Sequence, residues 1–247
     1  MLYQLSKYEQ NNIQSSFINS NFEDLERFTS NVIEKGSRDI YVFKLLALAY
    51  VKQKKFKSSE KYFLEILKAE PDVIENYYNL SEMYREANEY KNSYEYLSIC
   101  IQREPNNIRF LLSFATVCLK LKDYSNSIKA LKHLLEIDAE NQDAIFQLSL
   151  NYIQIGKFSN ALSLLKKIGE TSGYTADLYC DISLCYFYLG NLDKAKKFNH
   201  LAQNSENAQY ILSLINLKLG NFKSGWLGYD SGLLKTRKLQ KGFEKFD

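Results

Sequence analysis

The chain has 247 residues, 45% of them apolar and 25% charged, with a formal net charge of +3. That balance is too apolar for an unstructured polymer and too weakly basic for a nucleic-acid or acidic-membrane surface. No run of about 18 apolar residues is present, so no membrane-spanning helix is expected, and Met1-Leu2-Tyr3-Gln4-Leu5 lacks the basic-then-apolar order of a secretion signal.

The first 39 residues predict one irregular helix pair. Its first helix, around Asn11-Asn12-Ile13, is weakly patterned. Ser20-Asn21-Phe22 marks a turn, and Leu25, Phe28 and Val32 stripe the second helix. A polar, degenerate unit at this place suits a capping repeat.

From Ile40 the chain repeats every 34 residues without a gap, in units beginning at Ile40, Ile74, Ile108, Gln142 and Ala176. Pro71 and Pro105 fall one period apart. The fourth position holds Phe43, Tyr77, Leu111, Ile145 and Tyr179. The seventh holds Leu46, Leu80, Phe114, Leu148 and Ile182, and the eleventh Tyr50, Tyr84, Cys118, Tyr152 and Tyr186. These positions share one helix face, so each unit opens with a half-buried helix.

A turn follows, as in Asn88-Glu89, Lys122-Asp123, Gly156-Lys157 and Gly190-Asn191. A second stripe then runs through Ser59/Phe63/Ile66 or Ala161/Leu165/Ile168, which predicts a second, antiparallel helix. Positions 8 and 20 hold only small residues: Ala47/Ser59, Ser81/Ser93, Ala115/Ser127, Ser149/Ala161 and Ser183/Ala195. Small side chains at a crossing let two helix backbones approach closely.

Downstream, Ile211-Leu212-Ser213-Leu214 supplies one more first helix, and Gly220-Asn221-Phe222 a turn four residues early for the period. Gly225 takes the small-residue place of the second helix. The basic stretch Lys235-Thr236-Arg237-Lys238 reads as a solvated tail or linker rather than a nucleic-acid arm. The chain therefore divides into a degenerate N-terminal capping repeat (1–39), five full units (40–205), and a degenerate last repeat with a C-terminal helix or tail (206–247).

These columns resemble the tetratricopeptide repeat, whose pattern has an aromatic at position 4, Leu at 7, Gly or Ala at 8, Tyr at 11, Ala at 20 and 27, and Pro at 32. The unit from Ile74 shows Tyr77, Leu80, Ser81, Tyr84, Ser93, Leu97, Cys100 and Pro105, with Ser in place of Gly or Ala. Ala139 and Gly173 stand where Pro belongs. The resemblance implies an all-α, right-handed superhelical solenoid of antiparallel helix pairs. Gly220-Asn221-Phe222-Lys223-Ser224-Gly225-Trp226-Leu227-Gly228-Tyr229 also resembles the closing repeat of bacterial proteins in which such an array precedes a glycosyltransferase-like domain. Here Asp230-Ser231-Gly232 replaces the Glu-Trp-Arg that commonly follows.

Little in the chain suits catalysis. The two histidines, His133 and His200, sit late in second helices, and no phosphate loop, nucleophile elbow or metal-ligand spacing occurs. Cys100, Cys118, Cys180 and Cys185 read as free buried thiols of a reducing cytosol, so a cytoplasmic, non-enzymatic chain without cofactor or metal is expected.

Binding is the expected role. Inward-facing positions of the first helices offer Tyr78, Asn79, Glu82 and Arg85, then Arg109, Leu112, Ser113 and Thr116, then Phe146, Gln147 and Ile153. Aromatics with scattered amides and charges suit an extended peptide on a concave face, the amides pairing with its backbone. Lys44 matches the lysine of a carboxylate clamp, but Leu48 stands where that clamp requires Asn. The sixth-position column, Leu45, Asn79, Ser113, Gln147 and Asp181, is polar without being an Asn ladder. The expected partner is a protein or peptide, with no nucleic acid and no membrane. Two alternatives are the substrate-presenting arm of a larger glycosyltransferase-like enzyme and a scaffold that homodimerises through a terminal repeat. An enzyme arm is expected to expose Trp226, or Phe243 and Phe246, as a docking surface.

Overall fold

The computed structural model describes residues 3–202, 205 and 207–229. Within them every regular element is a helix: α1 (Lys7–Ile18), α2 (Phe22–Glu34), α3 (Ile40–Lys52), α4 (Phe56–Ala69), α5 (Ile74–Glu86), α6 (Tyr90–Arg103), α7 (Ile108–Lys120), α8 (Tyr124–Ile137), α9 (Gln142–Gln154), α10 (Phe158–Ser172), α11 (Ala176–Tyr188), α12 (Leu192–Leu201), α13 (Ala208–Lys218) and a last helix, α14, over 222–229. None of them is long and apolar enough to cross a membrane. The chain forms two compact units, residues 1–130 and 131–247, the division falling inside α8.

Helix starts and stops follow local chemistry. Side-chain oxygens of Asp39, Asn107, Asn141 and Thr175 accept from otherwise orphaned N–H groups at the starts of α3, α7, α9 and α11. The first helix of each pair stops on one left-handed residue: Ser20, Lys54, Asn88, Lys122, Gly156, Gly190 and Gly220 all have φ between 53° and 82°. The N–H of the next residue then turns back to a carbonyl five positions earlier, as Lys55 to Tyr50 and Glu89 to Tyr84, both at 2.8 Å. This closure sets the second helix running back along the first.

In the first unit each of α1 to α7 packs against the next in order. Ile13, Leu25, Val32, Val42, Leu45 and Ala49 form one buried cluster there; Phe43, Phe63, Ile66, Leu80, Met83 and Tyr84 belong to another. In the second unit α9 packs on α10, α10 on α11, α11 on α12 and on α13, around Leu165, Leu178, Ile182, Ile211 and Ile215. The ten small residues at positions 8 and 20 are all fully buried, as close helix crossings require. In the last pair a Cβ on Gly225 would lie 2.7 Å from the Leu217 side chain, so glycine is required there.

Candidate functional site

The first helices α3, α5 and α7 present positions 2, 5, 6, 9 and 12 on one side of the first unit. Tyr78 is half-buried there, and its hydroxyl shares a 3.1 Å hydrogen bond with Ser113 one repeat on. Its ring lies 5.1 Å from that of Phe110. The Arg109 guanidinium sits 4.4 Å over the Tyr78 ring and pairs with Glu75 at the same position of the preceding unit. That bond to Glu75 raises the Arg109 pKa, and burial pushes the Tyr78 phenol up. Tyr78, Arg109 and Ser113 therefore form one rigid contact joining α5 to α7.

Glu82 and Arg85 pair along α5, with Arg85 Nη2 2.7 Å from Glu82 Oε2. Leu112 is half-buried on α7, and its carbonyl accepts from the Thr116 hydroxyl at 2.9 Å. Asn79 is exposed, and its side-chain amide makes no hydrogen bond among the described residues. Phe146 and Gln147 stand on α9 in the second unit. Phe146 is 38% exposed, and the Gln147 carbonyl accepts from Asn151 Nδ2 at 2.9 Å. On α11 of that unit, burial and the neighbouring Asp177 push the half-buried Asp181 carboxyl up to about 6.

A cleft of about 300 Å³ opens between α3 and α5, and Asn79 and Glu82 line it. Leu45, Leu48 and Met83 line it too, none of which the pattern of polar groove positions singles out. The available signal was the departure of Leu45 from an otherwise polar sixth-position column; Leu48 carries none, since Leu150 and Leu184 share its column. Lys44 at the same cleft donates to Glu70 at 2.7 Å, which further distances it from a carboxylate clamp. His133 is half-buried beside Glu136, and among the described residues no group of three or more His, Cys, Asp or Glu gathers as a metal site.

Two family profiles match the sequence: anaphase-promoting complex, cyclosome, subunit 3, over residues 52–134, and tetratricopeptide repeat over residues 176–198. No curated protein matches it. Among solved structures, a tetratricopeptide repeat protein from Parabacteroides merdae aligns with 97% of this chain and 95% of its own at 13% identity and a TM-score of 0.75. MamA from Desulfovibrio magneticus, from its residue 41 to the end, aligns with 69% of this chain and 96% of its own, at 13% identity and a TM-score of 0.63. YrrB, described as a tetratricopeptide-repeat protein with an unusual peptide-binding site, aligns with 78% of this chain and 97% of its own, at 18% identity and a TM-score of 0.61. At such identities the likeness is one of fold. The 34-residue period, the paired helices and the two profile matches show tetratricopeptide-type repeats in the chain.

Proposed function

We propose that the chain is an interaction module without catalysis of its own, binding a protein or peptide segment along the α5–α7 face of its first unit. The observation that carries this reading is the contrast between Asn79 and its surroundings. Tyr78, Arg109, Ser113, Glu82 and Arg85 are held by one another, while the exposed Asn79 amide has both donor and acceptor free. A preorganised wall beside an unsatisfied amide suits the backbone of an extended peptide, since little side-chain entropy is lost on binding. YrrB, similar in fold, is a peptide binder by its description. Phe146 and Gln147 on α9 extend the same reading to the second unit.

The test is selection of binders from a displayed peptide library on the native chain, followed by calorimetry with the selected peptides. Asn79→Ala is expected to lower affinity about tenfold, the weight of a lost hydrogen bond. Selected peptides that bind Asn79→Ala and Arg109→Ala as tightly as the parent would overturn the assignment to this face.

A second reading, an arm that docks on a glycosyltransferase-like domain, is favoured by one surface. On α14 Phe222, Trp226 and Leu227 are 63%, 55% and 68% exposed, an apolar face of the kind that marks docking. Phe243 and Phe246 lie outside the described residues. Immunoblotting of source-cell extract separates the readings: a band near 28.8 kDa supports the free-standing module, and a much larger one the arm.

A further inference from the structure

The cleft between α3 and α5 deepens the peptide-binding reading and rests on it. Its floor is apolar, with Leu45 and Met83 buried and Leu48 half-buried, and Phe17 of α1 stands 42% exposed at its edge. Two of its charges are satisfied within the chain: Lys44 by Glu70, and Glu82 by Arg85. Two are not. Lys52 at the end of α3 and Glu86 at the end of α5 are both exposed, line the same cleft, and form no ion pair among the described residues. They hold the same, thirteenth, position of successive units and do not reach one another. The cleft thus presents an apolar floor and, where α3 and α5 end, one exposed positive and one exposed negative side chain, the latter within electrostatic reach of Arg85.

A cleft of about 300 Å³ is ample for one branched or thioether side chain, which the extended segment of the peptide-binding reading can supply. We infer that the cleft takes a single Leu, Ile or Met side chain from an extended partner segment that carries an acidic residue towards Lys52 and a basic residue towards Glu86. Alternate residues of an extended segment share one face, so the two charges belong two positions either side of the anchor.

The probe is the blocked peptide Asp-Ser-Leu-Ser-Lys, tested on the full chain carrying ¹³C-methyl methionine. With two methionines in the sequence and Met83 on the cleft floor, the Met83 methyl reports occupancy directly. A saturable shift of that signal is expected. Replacing the peptide's Leu by Ala should weaken it roughly 10- to 100-fold, the value of the lost apolar burial. Leu48→Glu should abolish it. Since Leu48→Glu can disturb folding, a second variant, Lys52→Glu with Glu86→Lys, changes only exposed groups and should favour the reversed peptide Lys-Ser-Leu-Ser-Asp.

A Met83 signal unmoved at millimolar peptide, or equal response to the Leu and Ala peptides, overturns the proposal. So does a Met83 shift that follows protein concentration without peptide and accompanies a dimer in sedimentation, which would assign the cleft to a second copy. If library-selected peptides respond to Arg109→Ala but leave Met83 unmoved, the anchor falls and the peptide-binding face stands. If no peptide responds to either, both fall.

Discussion

Ser59 Oγ donates a 2.8 Å hydrogen bond to the main-chain carbonyl of Ala47, across the crossing of α3 and α4 and twelve residues away in sequence. Ser127 does the same to Ala115 at 2.8 Å, and Ser183 to Ala195 at 2.7 Å. A serine facing an alanine at this crossing is both small enough to fit and able to staple the two helices. The staple is absent at Ser149, which faces Ala161 but turns to Phe146 of its own helix at 2.7 Å, and also where two serines meet. Ser81 turns to Tyr78 of its own helix at 2.6 Å, and Ser93 Oγ is buried without a partner.

Ser59 and Ser93, both at position 20, should therefore respond oppositely to the same change. Ser59→Ala removes a satisfied buried hydrogen bond and should cost about 0.5–1.5 kcal/mol in urea denaturation. Ser93→Ala removes an unsatisfied hydroxyl and should be neutral or stabilising. Equal losses for both would show that the cross-helix bond contributes nothing.

Volume at the same crossing is a separate test. Ser93 is fully buried, so Ser93→Leu forces three extra carbons between α5 and α6. A loss of about 1–3 kcal/mol is expected from overpacking. An unchanged denaturation midpoint would contradict the packing of the pair.

Much of this was legible in the sequence because sterics act residue by residue. The small column reports a backbone separation, and a run of Ala and Ser in it admits no other reading. The partners of polar side chains were not legible, because they depend on distances between units that no column carries. Arg109 reads as a free groove cation, yet it lies on Tyr78 and pairs with Glu75, a full period earlier. Lys44 reads as half of a clamp, yet it is paired with Glu70, 26 residues on. Leu45 reads as the odd member of a polar column, and Leu48 as one of three leucines in a mixed one. Only the approach of α1, with Phe17 at the rim, turns them into the floor of a cleft.

The turns offer a stabilising change. Lys54 and Lys122 hold φ of 59° and 61° at the position where Gly156 and Gly190 hold 74° and 79°. A side chain in the left-handed region costs roughly 1–2 kcal/mol, partly offset by the larger unfolded-state entropy of glycine. Lys54→Gly and Lys122→Gly should each gain about 0.5 kcal/mol. Gly190→Ala should lose about 1 kcal/mol although nothing lies within 4 Å of the added Cβ, which isolates the backbone term. A gain at Gly190→Ala would refute this assignment.

At the N-terminus Glu9 gathers four donors: the Tyr3 hydroxyl at 2.5 Å, Lys35 Nζ at 2.9 Å, and the Ser6 N–H and hydroxyl at 2.9 and 2.8 Å. The bond from Tyr3, then that from Lys35, then those from Ser6 hold its carboxyl at about 2. A pKa depressed on folding adds stability that is complete above the unfolded value, near 4.5, and is lost as pH falls through about 2. Glu9→Gln should therefore cost about 1–3 kcal/mol for α1 at neutral pH, the range for bonds to a charged acceptor. The gap from the parent should close on acidification towards pH 2. A gap that stays constant from neutral pH down to that point would show the bonds do not depend on charge.

Reactivity of the four thiols follows from where the helices bury them. Cys100 and Cys118 lie in the first unit, Cys180 and Cys185 in the second, and none is more than 2% exposed. Burial pushes Cys100, Cys118 and Cys185 up to about 12, so at neutral pH only on the order of one in 10⁵ is thiolate in the closed state. Modification by an aromatic disulfide reagent should then require opening, and its rate should rise with urea well below the unfolding midpoint wherever a unit opens by itself. Because each unit carries its own pair, the mass of singly and doubly modified species, mapped by peptide, reports which unit opens first. Labelling of any of the four at the speed of a free thiol in native buffer would contradict the burial that defines both cores.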